Sequence, residues 1–438
     1  MTHVVIMGGG IGGVSMAYEL RHHLGRGAEI TLFSERETFQ FTPSNPWVAV
    51  GWRTQDKIEV PLRPHLERHG ISFDPTGVKH VHPNANRVEL IDGRTVDYDY
   101  LVVATGPELA FDEIPGCGPE DGYSQSVCTT PHGRQAYQAL EELCRNPGPV
   151  VVGATQGASC FGPAYEYAFV LDRELRRRKL RHKVPITFVT AEPYIGHLGL
   201  NGVGDTKGML EAELRDRDIP WITNAKTERI DQDRLYAVEV DEDGNDKRRH
   251  ELPAAMSMML PPFRGVPALE GTGDLVNPRR FVTIDNFQRN PTYTNVYAVG
   301  VCVAIPPVHE TPVACGVPKT GFMIETMANA AARNIRDELV GQPASYVATW
   351  NAFCLADYGN GGAAILAIPQ TPPRNVNWAV EGRWAHYAKV AYEWYFMRKL
   401  KKGIVEPFYE KWVMRLLGAN KVHKQPMVNQ QPPRQAAE

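Results

Sequence analysis

No stretch of this chain reaches the ~20 consecutive apolar residues that a membrane-spanning helix needs. The longest weakly polar segment, 296–308, is broken by Gly300, Pro306 and Pro307, and fits buried strands and loops. Met1-Thr2-His3-Val4 has no basic cluster ahead of its apolar run, so a secretory signal peptide is not expected. Cysteine pairing is also missing. The seven cysteines are odd in number, scattered, and without CxxC or metal-ligand spacing, which argues against a dense disulfide framework and against a metal site. Charge of one sign is scarce: 47 Lys and Arg face 50 Asp and Glu, and nothing global points to nucleic acid. A chain of 438 residues has room for two or three domains. Its 39 glycines and 34 prolines suit a loop-rich nucleotide-binding fold.

What is present starts at the N-terminus. Residues 4–7 read as a buried strand, Gly8-Gly9-Gly10-Ile11-Gly12-Gly13 as a turn, 14–23 as a helix and 30–33 as the next strand. Gly8, Gly10 and Gly13 match G-x-G-x-x-G in the strand–turn–helix–strand setting that binds a dinucleotide. The glycines let the backbone approach a pyrophosphate at the helix N-terminus. The acidic residue that would hold a ribose hydroxyl is displaced: Ser34 takes that place and Glu35 follows, with Glu35 preferred. A second buried strand ends at Ala104-Thr105-Gly106, and a third at Gly300, where flavin reductases usually continue with Asp and this chain has Val301.

Residues 148–160 again have the shape of a strand running into a helix. In a flavin-dependent reductase this turn holds a second glycine fingerprint, for NAD(P)H. Thr155 and Ala158 stand where its second and third glycines belong, and the turn carries Cys160 instead. Electrons are therefore expected to arrive through sulfur rather than from a nicotinamide. The expected fold class is α/β, with two Rossmann-like dinucleotide-binding domains and a C-terminal amphipathic helical membrane-association region. The divisions are 1–147 with 260–340 for FAD, 148–259 for the second Rossmann-like domain, 341–424 for the C-terminal region and 425–438 for a disordered tail. A meander with a turn at Asp241-Glu242-Asp243-Gly244-Asn245 is expected inside the second domain.

Several segments together carry a family resemblance. They are Phe39-Gln40-Phe41-Thr42-Pro43-Ser44-Asn45-Pro46-Trp47, Gly157-Ala158-Ser159-Cys160-Phe161-Gly162-Pro163-Ala164-Tyr165-Glu166, Glu192-Pro193-Tyr194-Ile195-Gly196-His197-Leu198-Gly199, Pro318-Lys319-Thr320-Gly321 and Trp350-Asn351-Ala352-Phe353-Cys354. From Met1 to about Lys421 the chain resembles the sulfide:quinone oxidoreductases of the two-dinucleotide-domain flavoproteins. The flavoprotein subunit of flavocytochrome c sulfide dehydrogenase is a near relative, but its tethering cysteine near Pro43-Ser44 is absent here. The resemblance implies FAD as cofactor, hydrogen sulfide as donor and a membrane quinone as acceptor.

It also implies roles. Cys160 and Cys354 become a redox pair at the flavin, in place of two buried apolar residues. HS⁻ attacks a disulfide or persulfide there, and the freed thiolate passes two electrons on. Cys128 relays sulfane sulfur or is a surface thiol. Glu166, six residues after Cys160 on the same expected helix, is a base near the thiol or a polar interface residue. His132, at i+4 from Cys128, is placed to lower that thiol's pKa. His197 is a quinone proton donor or an interface histidine. Lys319 is a cation for the reduced ring or a surface lysine. Phe41, Phe353, Tyr392 and Phe396 are walls of the quinone pocket. Cys117, Cys144, Cys302 and Cys315 are structural.

Residues 383–424 hold ten Lys and Arg against three Glu, among many aromatics. Val405, Phe408, Trp412 and Leu416 follow helical spacing, with Lys399 to Lys402, Lys411 and Arg415 as cations for anionic lipid. The expectation is a peripheral, monotopic protein on a bilayer surface; packing on the body or in a homo-oligomer is the alternative. Two rival functions stay open. A type II NADH:quinone reductase would use Glu192 on the nicotinamide ribose. A non-enzymatic flavin-bearing sulfur-binding protein would bind FAD and persulfide without turnover.

Overall fold

Val4 and Ile6 point to one side of their strand and Val5 and Met7 to the other. All four are buried, so the strand Thr2–Met7 must be covered on both faces. The computed structural model, which describes residues 1–407, 410, 412 and 420–425, shows how. Thr2–Met7 is the middle of a five-stranded parallel sheet in the order Val296–Ala298, Tyr100–Val103, Thr2–Met7, Ala28–Phe33, Ser72–Asp74. Val4 and Ile6 face the helices Ile11–Leu24 and Gly321–Leu339. Val5 and Met7 face Val81, Val88 and Leu90 of an antiparallel three-stranded sheet, Val78–His82, Arg87–Leu90 and Thr95–Asp97. The strand Val296–Ala298 comes late in the chain yet pairs with Tyr100–Val103, so the chain leaves this sheet and returns to it.

Between those passes a second parallel sheet forms, in the order Ser124–Gln125, Met256–Leu260, Val150–Ala154, Ile186–Thr190, Trp221–Ile222. The helix Gly162–Arg177 covers one face through Ala164, Ala168 and Leu171. The antiparallel meander Ala225–Asp231, Arg234–Val240 and Asp246–Pro253 covers the other through Ile230, Leu235 and Ala237. Its expected turn is present: Asp241 Oδ1 accepts from the backbone N–H groups of Asp243 and Asn245. Both parallel sheets are thus sandwiched, as an α/β fold requires.

The C-terminal region departs from the helical expectation. Residues 341–424 include the antiparallel sheet Ala352–Asp357, Gly362–Ile368, Val376–Glu381 and the pair Tyr346–Ala348 with Val422–Lys424. One long helix, Arg383–Lys402, follows the sheet. The short continuous apolar run of 362–368 and the β-branched Val376 and Val380 favour strands, and helical spacing does not extend there. Val405 packs against the first core instead of facing lipid. Lys399 is not a headgroup cation either; it is buried, on Glu325 and Glu410. The expected stripe and cation residues Phe408, Lys411, Arg415 and Leu416 lie outside the described residues, as do 426–438. Gln425, assigned to the tail, donates its N–H to the Ser345 carbonyl at 2.8 Å.

Candidate active site

The first turn separates protein packing from ligand space. A Cβ at Gly8 would stand 2.5 Å from the Ala104 carbonyl oxygen, and one at Gly13 would stand 1.8 Å from that of Gly8. A Cβ at Gly10 would meet nothing within 4 Å. Gly8, with φ +109°, and Gly13 are therefore required by the fold, while Gly10 opens onto free space. The helix that follows has Gly10 as N-cap, no side-chain cap and no acidic residue in its first turn, so its N–H groups remain for an anion. Thr105 and Gly106 close beside it, and Gly106 also faces open space at φ +71°. Ser34 Oγ lies 2.8 Å from the Cβ position of Gly9. Glu35 is exposed and turned toward Gly77, so Ser34 is the residue set against the turn. Gly300, at φ +90°, donates its N–H to the Met327 thioether. Lys319 is half-buried over the Phe281 ring at 5.4 Å, and burial draws its pKa down to about 8. This cradle fits a dinucleotide such as FAD, with Lys319 as the nearby cation.

The second turn is filled by its own side chains. Thr155 is fully buried, with Oγ1 donating to the Leu260 carbonyl at 3.1 Å. Gln156 exchanges two hydrogen bonds with the Thr227 backbone, at 2.9 and 3.0 Å. Ala158 and Phe161 are buried beside them. Glu192, the rival's ribose ligand, is also fully buried. It accepts from Tyr165 Oη at 2.7 Å, Thr190 Oγ1 at 2.9 Å and the Leu198 N–H at 2.6 Å. Its carboxylate holds the turn Glu192–Gly199 together and has no oxygen free for a sugar.

Cys160 stands just before the helix Gly162–Arg177, not on it, where the Gly162 backbone partly opposes the rise in its pKa. Its thiol is close enough to act electrostatically on both Cys128 and Cys354. The three thiols named from the sequence thus lie within electrostatic reach of Cys160, Cys117 acts on Cys128 as well, and all four are unbridged. Burial pushes them up, Cys160 to about 11 and Cys128 and Cys354 to about 12. A buried thiol at that pKa is a poor spontaneous nucleophile and needs a base.

A carboxylate stands near it, that of Glu166. It is buried, it acts on Cys160, and it is ion-paired with Lys389. Burial raises its pKa to about 7, opposed by Lys389 and assisted by Asp357. Lys389 also faces Cys354, and its ammonium lies 4.9 Å from the Trp47 ring centroid. Asp357 accepts from Trp47 Nε1 at 2.7 Å and contacts His386 Nδ1 at 2.9 Å. Sequence reasoning missed Lys389, Asp357 and His386. A signal existed: Lys389 lies on the buried stripe Ala385, Lys389, Phe396, Leu400 of its helix, where a charge needs a partner.

His132 differs from expectation. His132 Nε2 pairs with Glu120 at 2.8 Å and its ring contacts Phe111. It makes no hydrogen bond to Cys128, whose pKa is raised, not lowered. Thr129, with the dipeptide Thr130-Pro131, starts a new helix between them, so the i+4 spacing is not helical. His197 is buried. Its Nδ1 accepts the Gly199 N–H at 3.1 Å and its Nε2 lies 3.3 Å from His309 Nε2. Burial, then His309, lowers its pKa to about 4, so it is a neutral ring at pH 7. His309 was not foreseen.

Three of the four expected aromatic walls meet. Phe41 lies 5.3 Å from Phe396 and 6.0 Å from Tyr392, and Tyr392 lies 6.0 Å from Phe396. Phe353 sits on the strand Ala352–Asp357, opposite Leu366, outside this cluster.

A model of the pyridine nucleotide-disulphide oxidoreductase family matches residues 2–332. The chain is 43% identical over 416 residues, 94% of each protein, to sulfide-quinone reductase of Aquifex aeolicus. The X-ray structure of the Aquifex aeolicus sulfide:quinone oxidoreductase superposes with a TM-score of 0.93 and 41% identity, covering 99% of both chains. NDH2 from Plasmodium falciparum shares the fold, with a TM-score of 0.69 at 12% identity, covering 96% of this chain and 99% of that one. Likeness across nearly the whole of both chains places this protein in the pyridine nucleotide-disulphide oxidoreductase family, among its sulfide-quinone reductases.

Proposed function

We propose that this protein oxidises hydrogen sulfide to sulfane sulfur through Cys160 and Cys354 and passes two electrons, by way of FAD, to a membrane quinone. The observation that carries this reading is the group of three thiols standing where a nicotinamide site would be, beside a turn closed by Thr155, Gln156 and Ala158. Bound FAD supplies the two-electron carrier between thiols and quinone. With Cys160 and Cys354 oxidised to a bridge, HS⁻ attacks one sulfur; a new S–S bond forms and the bridging bond breaks. Overall HS⁻ yields one sulfane sulfur, one proton and two electrons. Glu166 takes the proton, and Lys389 stabilises the thiolate that leaves at Cys354. Cys128 receives sulfane sulfur from Cys160.

Phe41, Tyr392 and Phe396 wall the quinone site, with Phe353 contributing only from its edge. His197, neutral and hydrogen-bonded to His309, relays protons rather than supplying them as an imidazolium. Residues 1–147 with 260–340 act as the FAD domain, 148–259 as the second Rossmann-like domain and 341–424 as the region that meets quinone and membrane. No helix among the described residues is long and apolar enough to cross a membrane. Support for a monotopic attachment comes from a stripe on the helix Arg383–Lys402. Trp384, Tyr387 and Trp394 are 49, 71 and 65% exposed, at spacings of three and seven residues, with Arg398 next in line.

The test is anaerobic absorbance of the purified holoprotein. Sulfide should bleach the flavin, and added quinone should restore its colour. NADH should do neither, because Glu192 and the second turn are occupied internally. Rapid bleaching by NADH with none by sulfide would return the assignment to the NADH-using rival.

A further inference from the structure

Glu166 has a second buried carboxylate in its neighbourhood, that of Asp357, and the two are served by different partners. Lys389, itself buried, is ion-paired with Glu166. Asp357 is fully buried and has three donors: Trp47 Nε1 at 2.7 Å, the Gly359 N–H at 2.9 Å and His386 Nδ1 at 2.9 Å. Trp47 braces both pairs, with its N–H on Asp357 and its ring centroid 4.9 Å from the Lys389 ammonium. Of the three donors to Asp357, only His386 can carry a charge. It stands three residues before Lys389 on the helix Arg383–Lys402, and its side chain keeps 30% exposure, so it can take a proton from water.

Two buried carboxylates against one buried ammonium leave one negative charge over, and an unpaired charge away from water is costly. Either a carboxylate binds a proton or a second cation is found. Glu166 faces Lys389, Asp357, the Cys160 thiol and the buried phenol of Tyr358, and Lys389 also faces the Cys354 thiol. Arg53 lies over the Trp47 ring at 4.5 Å, but Glu393 holds its guanidinium. His386 packs against Trp47 and against Tyr387 of its own helix. Among the described residues, the second cation in contact with Asp357 is therefore the imidazolium of His386. The charge on Asp357 matters to Glu166: burial first raises that carboxyl's pKa, and Asp357 raises it further against the pull of Lys389.

We propose that His386 is a positioning residue for sulfide oxidation: as the imidazolium it neutralises Asp357, which leaves Lys389 to hold Glu166 ionised and ready to take a proton. The inference rests on the reading of Glu166 as the base, and it adds the group that keeps that base charged.

The experiment compares His386→Gln, which keeps a donor for Asp357 and removes the charge, with His386→Lys, which keeps a charge. Full-length holoproteins are followed by anaerobic stopped-flow bleaching of the flavin by sulfide across the pH range, at constant HS⁻ concentration, and the flavin-to-protein absorbance ratio checks that FAD is bound. In His386→Gln the midpoint of the rising limb should move up from about 7 by about one pH unit, the low end of what a nearby like charge does. Bleaching should then be about fivefold slower than wild type at pH 7 and nearly equal to it two units higher. His386→Lys should keep the midpoint at or below the wild-type value. A role in hydrogen bonding alone would slow both variants alike at every pH. An unmoved midpoint in His386→Gln, or equal shifts in the two variants, overturns the proposal. If either variant loses FAD, Asp357→Asn serves instead: it removes the charge that His386 answers and should move the midpoint down, and an unmoved midpoint there overturns the proposal as well. A wild-type profile without a rising limb near pH 7 overturns the reading of Glu166 as the base, and this inference with it.

Discussion

Glu166→Gln isolates the proposed base. The substitution keeps the side chain's shape in a buried site and removes its ability to take a proton. With a pKa of about 7, the wild-type carboxylate is about nine-tenths ionised at pH 8 and about one-tenth at pH 6. A step that needs the carboxylate should therefore slow about tenfold between those pH values, at constant HS⁻ concentration. Positioned general bases contribute roughly 10²–10⁴-fold, so Glu166→Gln should lose at least about 100-fold at pH 8 and should lack the pH slope. The assay is anaerobic stopped-flow bleaching of the flavin by sulfide, with total sulfide adjusted to hold HS⁻ constant. The same shift sets a stability trend. The folded pKa lies above the ordinary 4.5, so this group's contribution is full below about 4.5 and is lost as pH rises through about 7. A Glu166→Gln protein that bleaches at the wild-type rate, or keeps the wild-type pH slope, refutes the assignment.

Cys160→Ala and Cys354→Ala should each abolish bleaching by sulfide while FAD stays bound, read as the flavin-to-protein absorbance ratio; normal bleaching in either removes that thiol from the mechanism. Lys399→Met leaves the buried carboxylates of Glu325 and Glu410 with Lys421 as their remaining lysine among the described residues. It should cost about 3–5 kcal/mol, read as a lowered denaturation midpoint; a shift within error would mean that this cluster does not hold the helix Arg383–Lys402 in place. Trp394→Glu, alone or with Tyr387→Glu, should move the protein from sedimenting liposomes to the supernatant without altering sulfide bleaching. Unchanged partition would assign the exposed stripe to something other than lipid.

What was legible in the sequence is what depends on neighbours in the chain. The G-x-G-x-x-G turn, the buried strands and the blocked second turn follow from local pattern, and each stands where its residues put it. The grouping of Cys128, Cys160 and Cys354 came from resemblance, because nothing local links thiols on a loop, a turn and a strand. Two errors share one cause. The i+4 spacing of Cys128 and His132 was read as helical, but Thr129 caps a new helix between them. Lys399 was read as a solvated cation, but Glu325, 74 residues earlier, takes it into the core. In both, a contact distant in sequence or a local cap decided the side chain's fate, and spacing alone carries neither. The inward lysine Lys389 shows the remedy. A charge on an otherwise apolar stripe is a statement that a partner exists elsewhere, and here that partner, Glu166, sits 223 residues away near the Cys160 thiol. The helix Arg383–Lys402 is thereby tied to the surroundings of Cys160 by an ion pair and to Phe41 by Tyr392 and Phe396. Under the proposed function one element borders both half-reactions, so a change in its seating should reach sulfide oxidation and quinone reduction together.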